Sequence, residues 1–221
     1  MPIHKMVNAR FFNTWSPDMA YVLGYFAADG NLTTGKRGNH YIEFTSCDLP
    51  LLEKVRRVLG STHRISVRNG DPNWRLCHRL QIGNGRMYSN LVERGFTKRK
   101  SMTMRFPRVP EKYLPHFVRG YFDGDGGVTI STYQRAGRNG KSRTILAHFT
   151  SGSMAFLRVL HAKLKTRAGI IGGSLYYHQG NRLYFSVHDS YVLYRFMYQA
   201  KSLNLFLQCK RRVFEKYFKI A

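Results

Sequence analysis

The spacing of apolar positions changes along the chain, and the changes come in the same order twice. Ser16-Pro17-Asp18 reads as an N-cap, a proline at the first helical position and a first-turn acid. The largely apolar run that follows predicts a helix to about Ala28, stopped at Asp29-Gly30. A second helix is predicted from near Pro115 to Asp125-Gly126. Two strand-like runs follow each helix, about 32–37 with 41–46 and 128–133 with 143–150. Asp48 and Ser153 are N-cap candidates for helices over 49–59 and 154–167. A second strand pair comes next in each half, 63–68 with 74–82 and 174–178 with 182–187. Helices over 86–93 and 191–199 close the halves, and the second half adds 204–218. The order in each half is α-β-β-α-β-β-α, an α+β fold class.

The strands alternate with period two, so each has an apolar and a polar face. Trp74, Leu76, Leu80 and Ile82 oppose Arg75, Arg79 and Gln81. Ile65 and Val67 oppose Arg64, Ser66 and Arg68; Leu183, Phe185 and Val187 oppose Arg182, Tyr184, Ser186 and His188. Most tyrosines and phenylalanines fall at core positions and are read as core. Polar outer faces are common on strands. What makes these faces notable is their arginines and the scarcity of acids on them. A strand ribbon fits the major groove of DNA, where Arg and Gln can make bidentate contacts to bases.

Charge strengthens that reading. The 221 residues hold 36 Lys plus Arg against 12 Asp plus Glu, a net charge of +24, and 43% are hydrophobic, enough for a core. A polyanion is the expected partner, with nucleic acid ahead of an anionic membrane surface. No membrane span is expected, because the longest largely apolar run is only Met19–Ala28 and a span needs about 18–20 residues. The first residues, MPIHKMVNARFF, lack the apolar region of a secretion signal. Three cysteines, Cys47, Cys77 and Cys209, are too few and scattered for a disulfide framework or a structural zinc site. The expectation is an intracellular, reducing compartment, the one that holds the nucleic acid.

The two halves share residues as well as periods. AYVLGYFAADGNLT at 20–33 matches HFVRGYFDGDGGVT at 116–129, an offset of 96. Phe44-Thr45-Ser46 matches Phe149-Thr150-Ser151 at a larger offset, which fits a longer hairpin loop at 134–141 in the second half. Arg135, Arg138, Lys141 and Arg143 make that loop and its edge a candidate phosphate contact. Two copies of one unit are therefore expected, 1–107 and 108–221, joined near the proline-containing stretch 105–115. Gly83-Asn84-Gly85 lacks the third glycine of a dinucleotide loop.

The repeated helices carry small residues at fourfold spacing: Ala20, Gly24 and Ala28, then Gly120 and Gly124. Glycine inside a helix costs about 1 kcal/mol against alanine, and close packing of two backbones is a reason to keep it. Packed so, the helices bring Asp29 and Asp125 together at their C-terminal ends, where free carbonyls and the dipole are also negative. One Asp-Gly after a helix is an ordinary turn signal. Two in matching contexts would repel unless a cation lay between them, and hard oxygen donors favour Mg²⁺ or another divalent cation. Metal-assisted phosphodiester hydrolysis uses such a site.

VLGYFAADG (22–30) and VRGYFDGDG (118–126) resemble the LAGLIDADG motif of homing endonucleases, and the order of elements is similar to that family's unit. Two motifs in one chain resemble its monomeric, pseudo-symmetric branch. The resemblance implies saddle-shaped antiparallel sheets laid along the major groove, and site-specific double-strand cleavage of a long DNA target. It implies Asp29 and Asp125 as catalytic metal ligands, with the carbonyls of Ala28 and Gly124 beside them. GFTKRKS (95–101) and LQCKRRVF (207–214) resemble the segments that place a basic residue near the scissile phosphate, which implies Lys100 and Lys210. The chain departs from the motif at its sixth position, Ala27 in one copy and Asp123 in the other, a position that usually serves structure. The same scaffold also serves intron RNA maturases and transcription regulators, so a non-cleaving binder, with intron RNA as a further partner, is the alternative.

Overall fold

A computed structural model describes residues 5–68, 76–134, 140–177, 180–199 and 204–220. Two α+β units follow one another. The first runs α1 (Pro17–Asp29), β1 (Gly30–Thr34), β2 (His40–Ser46), α2 (Leu49–Val58), β3 (Ile65–Arg68), β4 (Cys77–Gly83) and α3 (Gly85–Glu93). The chain then passes through an extended stretch and a 3₁₀ turn, Glu111–Tyr113. The second unit runs α4 (Leu114–Asp125), β5 (Gly126–Gln134), β6 (Lys141–Ser151), α5 (Met154–Ala168), β7 (Ser174–Tyr177), β8 (Asn181–Phe185), α6 (Val187–Tyr198) and α7 (Gln208–Phe218).

Each sheet is antiparallel with the same strand order, β1-β2-β4-β3 and β5-β6-β8-β7. Their registers correspond: Gly30 pairs with Phe44 as Gly126 pairs with Phe149, and Phe44 with Leu80 as Phe149 with Leu183. Leu32, Ile42, Phe44, Leu80 and Ile82 bury one face of the first sheet; Ala147, Phe149, Leu183 and Phe185 do so in the second. Side-chain caps start the helices as expected. Ser16 Oγ accepts from the Met19 N–H at 3.0 Å, Asp48 Oδ1 from Leu51 at 2.7 Å, and Ser153 Oγ from Phe156 at 3.2 Å. Asn84 of the Gly83-Asn84-Gly85 run caps α3, accepting from the Met87 N–H at 3.0 Å.

α1 and α4 pack against each other and against their own sheets, so residues Met19 to Ala27 are all buried. Burial on every side explains a helix apolar all round rather than on one stripe. A Cβ at Gly24 would lie 2.1 Å from the Phe117 carbonyl oxygen, and one at Gly120 would lie 2.0 Å from that of Tyr21. Only glycine allows this approach. The motif tyrosines tie each helix to its sheet: Tyr25 donates to the Thr45 carbonyl at 3.2 Å and Tyr121 to that of Thr150 at 2.8 Å.

Several expectations are corrected. Both first strands begin directly after the aspartate, at Gly30 and Gly126. Val67 and Leu76 are 52% and 61% exposed, because β3 and the residue just ahead of β4 run past the end of the core. Val187 is exposed and belongs to α6, which starts four residues earlier than its periodicity suggests. Ser186 is therefore that helix's N-cap residue and His188 lies in its first turn, beside Asp189, rather than on a strand. Tyr133, Tyr176 and Tyr177 are exposed on strands rather than core. Cys47 and Cys77 are joined in a disulfide: Ser46 pairs with His78 across β2 and β4, which brings their neighbours side by side. Trp74 lies outside the described residues. Among the described residues no helix is long and apolar enough to cross a membrane.

The glycine contact sets a stability test. Gly120→Ala should lower the melting temperature, because overpacking against backbone costs about 1–3 kcal/mol. Gly85→Ala, where nothing lies within 4 Å, should leave it unchanged or raise it slightly. Leu80→Ala should cost about 2–5 kcal/mol as a core truncation. Thermal melts of the three variants decide it, and an unchanged Gly120→Ala would refute the close approach.

Candidate active centre and nucleic-acid face

The motif helices end together. Gly30 and Gly126 N–H groups bond back to the Phe26 and Phe122 carbonyls, and the chain turns straight into strand. A Cβ on Gly124 would lie 2.4 Å from Ala28 Cβ and 2.9 Å from Asp29 Oδ2. The first unit's acid thus lies against the second unit's backbone. A groove lined by Asp29, Glu43, Thr45 and Arg79 of the first unit and Gly124 and Lys210 of the second repeats this crossing. Asp29 is influenced more by Lys210 than by Lys100, and Asp125 more by Lys100 than by Lys210.

Desolvation raises both carboxylates, and like charge adds to the rise at Asp29. Desolvation first, then the charge of Asp125, pushes Asp29 up to about 7. Desolvation raises Asp125 too, opposed by Lys100 and Lys210. Lys100, 6% exposed, is lowered to about 8 by desolvation, and Lys210 is lowered for the same reason. Both ammonium groups settle on helix-end carbonyls. Lys100 Nζ donates to Ala28 O at 3.3 Å. Lys210 Nζ donates to Phe122 O at 2.8 Å, Asp123 O at 2.7 Å, Gly126 O at 2.7 Å and Gly124 O at 3.3 Å.

Among the described residues no group of three or more His, Cys, Asp and Glu side chains could hold a metal ion. The oxygen set here is two carboxylates with the Ala28 and Gly124 carbonyls. It fits a hard divalent cation, since all four donors are oxygens and the charge of Asp125 raises the pKa of Asp29.

On the open face of the first sheet Glu43, Thr45, Arg79 and Gln81 stand together, and His148, Thr150, Arg182 and Tyr184 take the matching register positions in the second. Glu43 accepts from Gln81 Nε2 at 2.5 Å and lies 3.8 Å from Arg79 Nη1; Arg182 donates to the Tyr184 hydroxyl at 3.0 Å. Ser66 and Arg68 share the first face by alternation, with Arg64 just ahead of β3. Lys141 and Arg143 do not join the second: they continue the Ile145–Ala147–Phe149 series, and the Arg143 carbonyl accepts from Tyr217 of α7. Ser186 and His188 leave it with the earlier start of α6. Arg75, Arg135 and Arg138 lie outside the described residues. Sequence reading missed Glu43, His148 and Tyr176, although the alternation of β2, β6 and β7 carries them.

Residues 16–94 match the LAGLIDADG-like domain family. Solved structures match nearly the whole chain. Meganuclease I-SmaMI bound to uncleaveable DNA is 15% identical, with a TM-score of 0.62 over 93% of this chain and 90% of that one. I-AabMI, a LAGLIDADG meganuclease bound to uncleaved DNA, is 12% identical, with 0.62 over 93% and 90%. The homing endonuclease I-WcaI bound to its DNA recognition sequence is 13% identical, with 0.57 over 92% and 90%. The chain has the two-unit LAGLIDADG fold. No curated protein sequence matches it. At these identities the LAGLIDADG likeness is one of fold, and the chemistry rests on the residues above.

The raised Asp29 carboxyl sets a pH test. Between its usual value near 3.8 and about 7 the folded chain holds a proton that the unfolded chain has lost, so this group's contribution to stability falls as pH rises through that window. With chelator present, Asp29→Asn should melt higher than the parent at pH about 7.5, and the gap should shrink by pH about 5. An Asn variant that melts lower at the higher pH would refute the desolvated, charge-crowded setting.

Proposed function

We propose that this chain is a site-specific DNA endonuclease of the LAGLIDADG type that makes a double-strand break with Mg²⁺ or another divalent cation. The observation that carries the reading is the pair of aspartates at the adjoining ends of α1 and α4, each influenced more by the opposite unit's lysine than by its own unit's, with a matched, arginine-bearing sheet face in each unit. Asp29 with the Gly124 carbonyl, and Asp125 with the Ala28 carbonyl, would hold the cations. When bound, these supply Lewis acidity, lowering the pKa of water and offsetting charge on the attacking and leaving oxygens. The carboxylates orient that water and take up its hydrogen bonds. Lys100 and Lys210 offset the charge of the phosphate and donate to its oxygens. With its pKa near 8, Lys100 also releases a proton more readily than an ordinary lysine.

The faces bearing Arg79 and Gln81, and Arg182 and Tyr184, read bases in the major groove, one half-site each, while the excess of 36 basic over 12 acidic residues binds phosphates. One chain carries both units, so it acts as a monomer, in whichever compartment holds the target DNA. The alternative is a non-cleaving binder of DNA or intron RNA; the presence of both motif acids, Asp29 and Asp125, favours the endonuclease.

A randomised duplex library incubated with Mg²⁺ or with chelator should yield new ends at one preferred sequence with the metal only. Asp29→Asn and Asp125→Asn should nearly abolish double-strand cutting while DNA binding persists. Full activity in both variants would refute the assignment, and equal affinity for single-stranded RNA would favour the binder.

Reading and folding should also separate. Arg79→Ala should leave the melting temperature nearly unchanged, within about 0.5 kcal/mol, yet relax preference at one or two base pairs of one half-site by about 1–3 kcal/mol. A panel of single-base target variants measures this. Uniform loss across the panel would make Arg79 a phosphate contact instead.

A further inference from the structure

We propose that Asp123 is a positioning residue for Lys210 and that it makes the two strand-cutting centres unequal; the second clause rests on the endonuclease reading, the first does not. The sixth motif position is alanine in one unit and aspartate in the other, and the structure gives the aspartate a specific task. Asp123 is 4% exposed. Its Oδ2 accepts from the Tyr21 hydroxyl at 2.6 Å and from the Leu207 N–H at 2.8 Å, while Oδ1 is buried without a hydrogen-bond partner.

Leu207 is the N-cap residue of α7, and no side chain of its own caps that helix. Asp123 therefore fixes the backbone at the head of α7, three residues before Lys210. Arg119, one turn earlier on α4, pins the same segment by donating to the Leu205 carbonyl at 2.9 Å. Tyr21 comes from α1, so the tether spans both units. Lys210 is held on a cradle of four carbonyls as a result.

The other unit has none of this. Ala27 stands in place of Asp123, and Lys100 sits in a turn, where its one side-chain hydrogen bond among the described residues is the 3.3 Å contact to Ala28. An unpaired buried carboxylate is costly, and alanine serves the packing of the sister helix. Asp123 is thus explained by what it holds. Since Lys210 works beside Asp29, loss of Asp123 should impair that centre and spare the one at Asp125.

The test has two arms. In the free protein, lysines are acetylated with limiting acetic anhydride and read by mass spectrometry. Lys210 should label slowly in the parent and about tenfold faster in Asp123→Leu, which fills similar volume without an acceptor. Lys100 should not change, and Asp123→Asn, which restores an acceptor, should recover most of the protection. In the second arm, each strand of the library-selected duplex is end-labelled. Asp123→Leu should slow the strand that Lys210→Met slows and leave the other within about twofold, so nicked duplex accumulates. Unchanged Lys210 labelling, or equal slowing of both strands, overturns the proposal. If the parent cuts no duplex while the labelling contrast holds, the endonuclease reading falls and the positioning role stands.

Discussion

The backbone contact between α1 and α4 is the constraint on which the rest depends. Gly24 and Gly120 each face a carbonyl oxygen of the opposite helix at a distance no side chain allows. This contact merges the cores of two small sheets and makes both helices buried on all sides. It also carries their C-terminal ends into one place. A larger residue at either glycine would push the helices apart and, with them, the two aspartates.

Convergence of two helix ends concentrates negative charge: two carboxylates, two dipole ends and several free carbonyls. Within the chain the balance comes from Lys100 and Lys210, whose own burial lowers their pKa values as the carboxylates' burial raises theirs. Each acid is influenced more by the lysine of the opposite unit. Neither unit alone would assemble a carboxylate, a carbonyl and an ammonium group in this arrangement. That is a physical reason for two copies in one chain.

Duplication did not leave the copies identical. Matching register positions hold Glu43 and His148, Gln81 and Tyr184, or Ala27 and Asp123. The first two pairs lie on the open faces, where a difference changes which bases could be read. The third lies at the core of the site, where it changes how firmly a lysine is held. A shared backbone with unshared side chains suits a partner whose two halves differ.

Much of this was legible in the residues alone. Period and caps determined the element order, since Ser16, Asp48 and Ser153 satisfy helix N–H groups locally. The paired motifs determined that two aspartates would end two matching helices. Local signals could not say that Asp29 crosses to Gly124 and Lys210, because that follows from how two distant helices dock. Nor could they say which strand residues end in the core. Val67 and Leu76 alternate correctly yet overhang it, and Val187 belongs to a helix whose start lies ahead of its apolar periodicity. The meeting of Cys47 with Cys77 needed the pairing of β2 with β4. Asp123 shows the limit most plainly: in sequence it is a motif position filled by alanine in the other copy. Only tertiary contact with Tyr21 and Leu207, 102 and 84 residues away, gives its carboxylate something to hold.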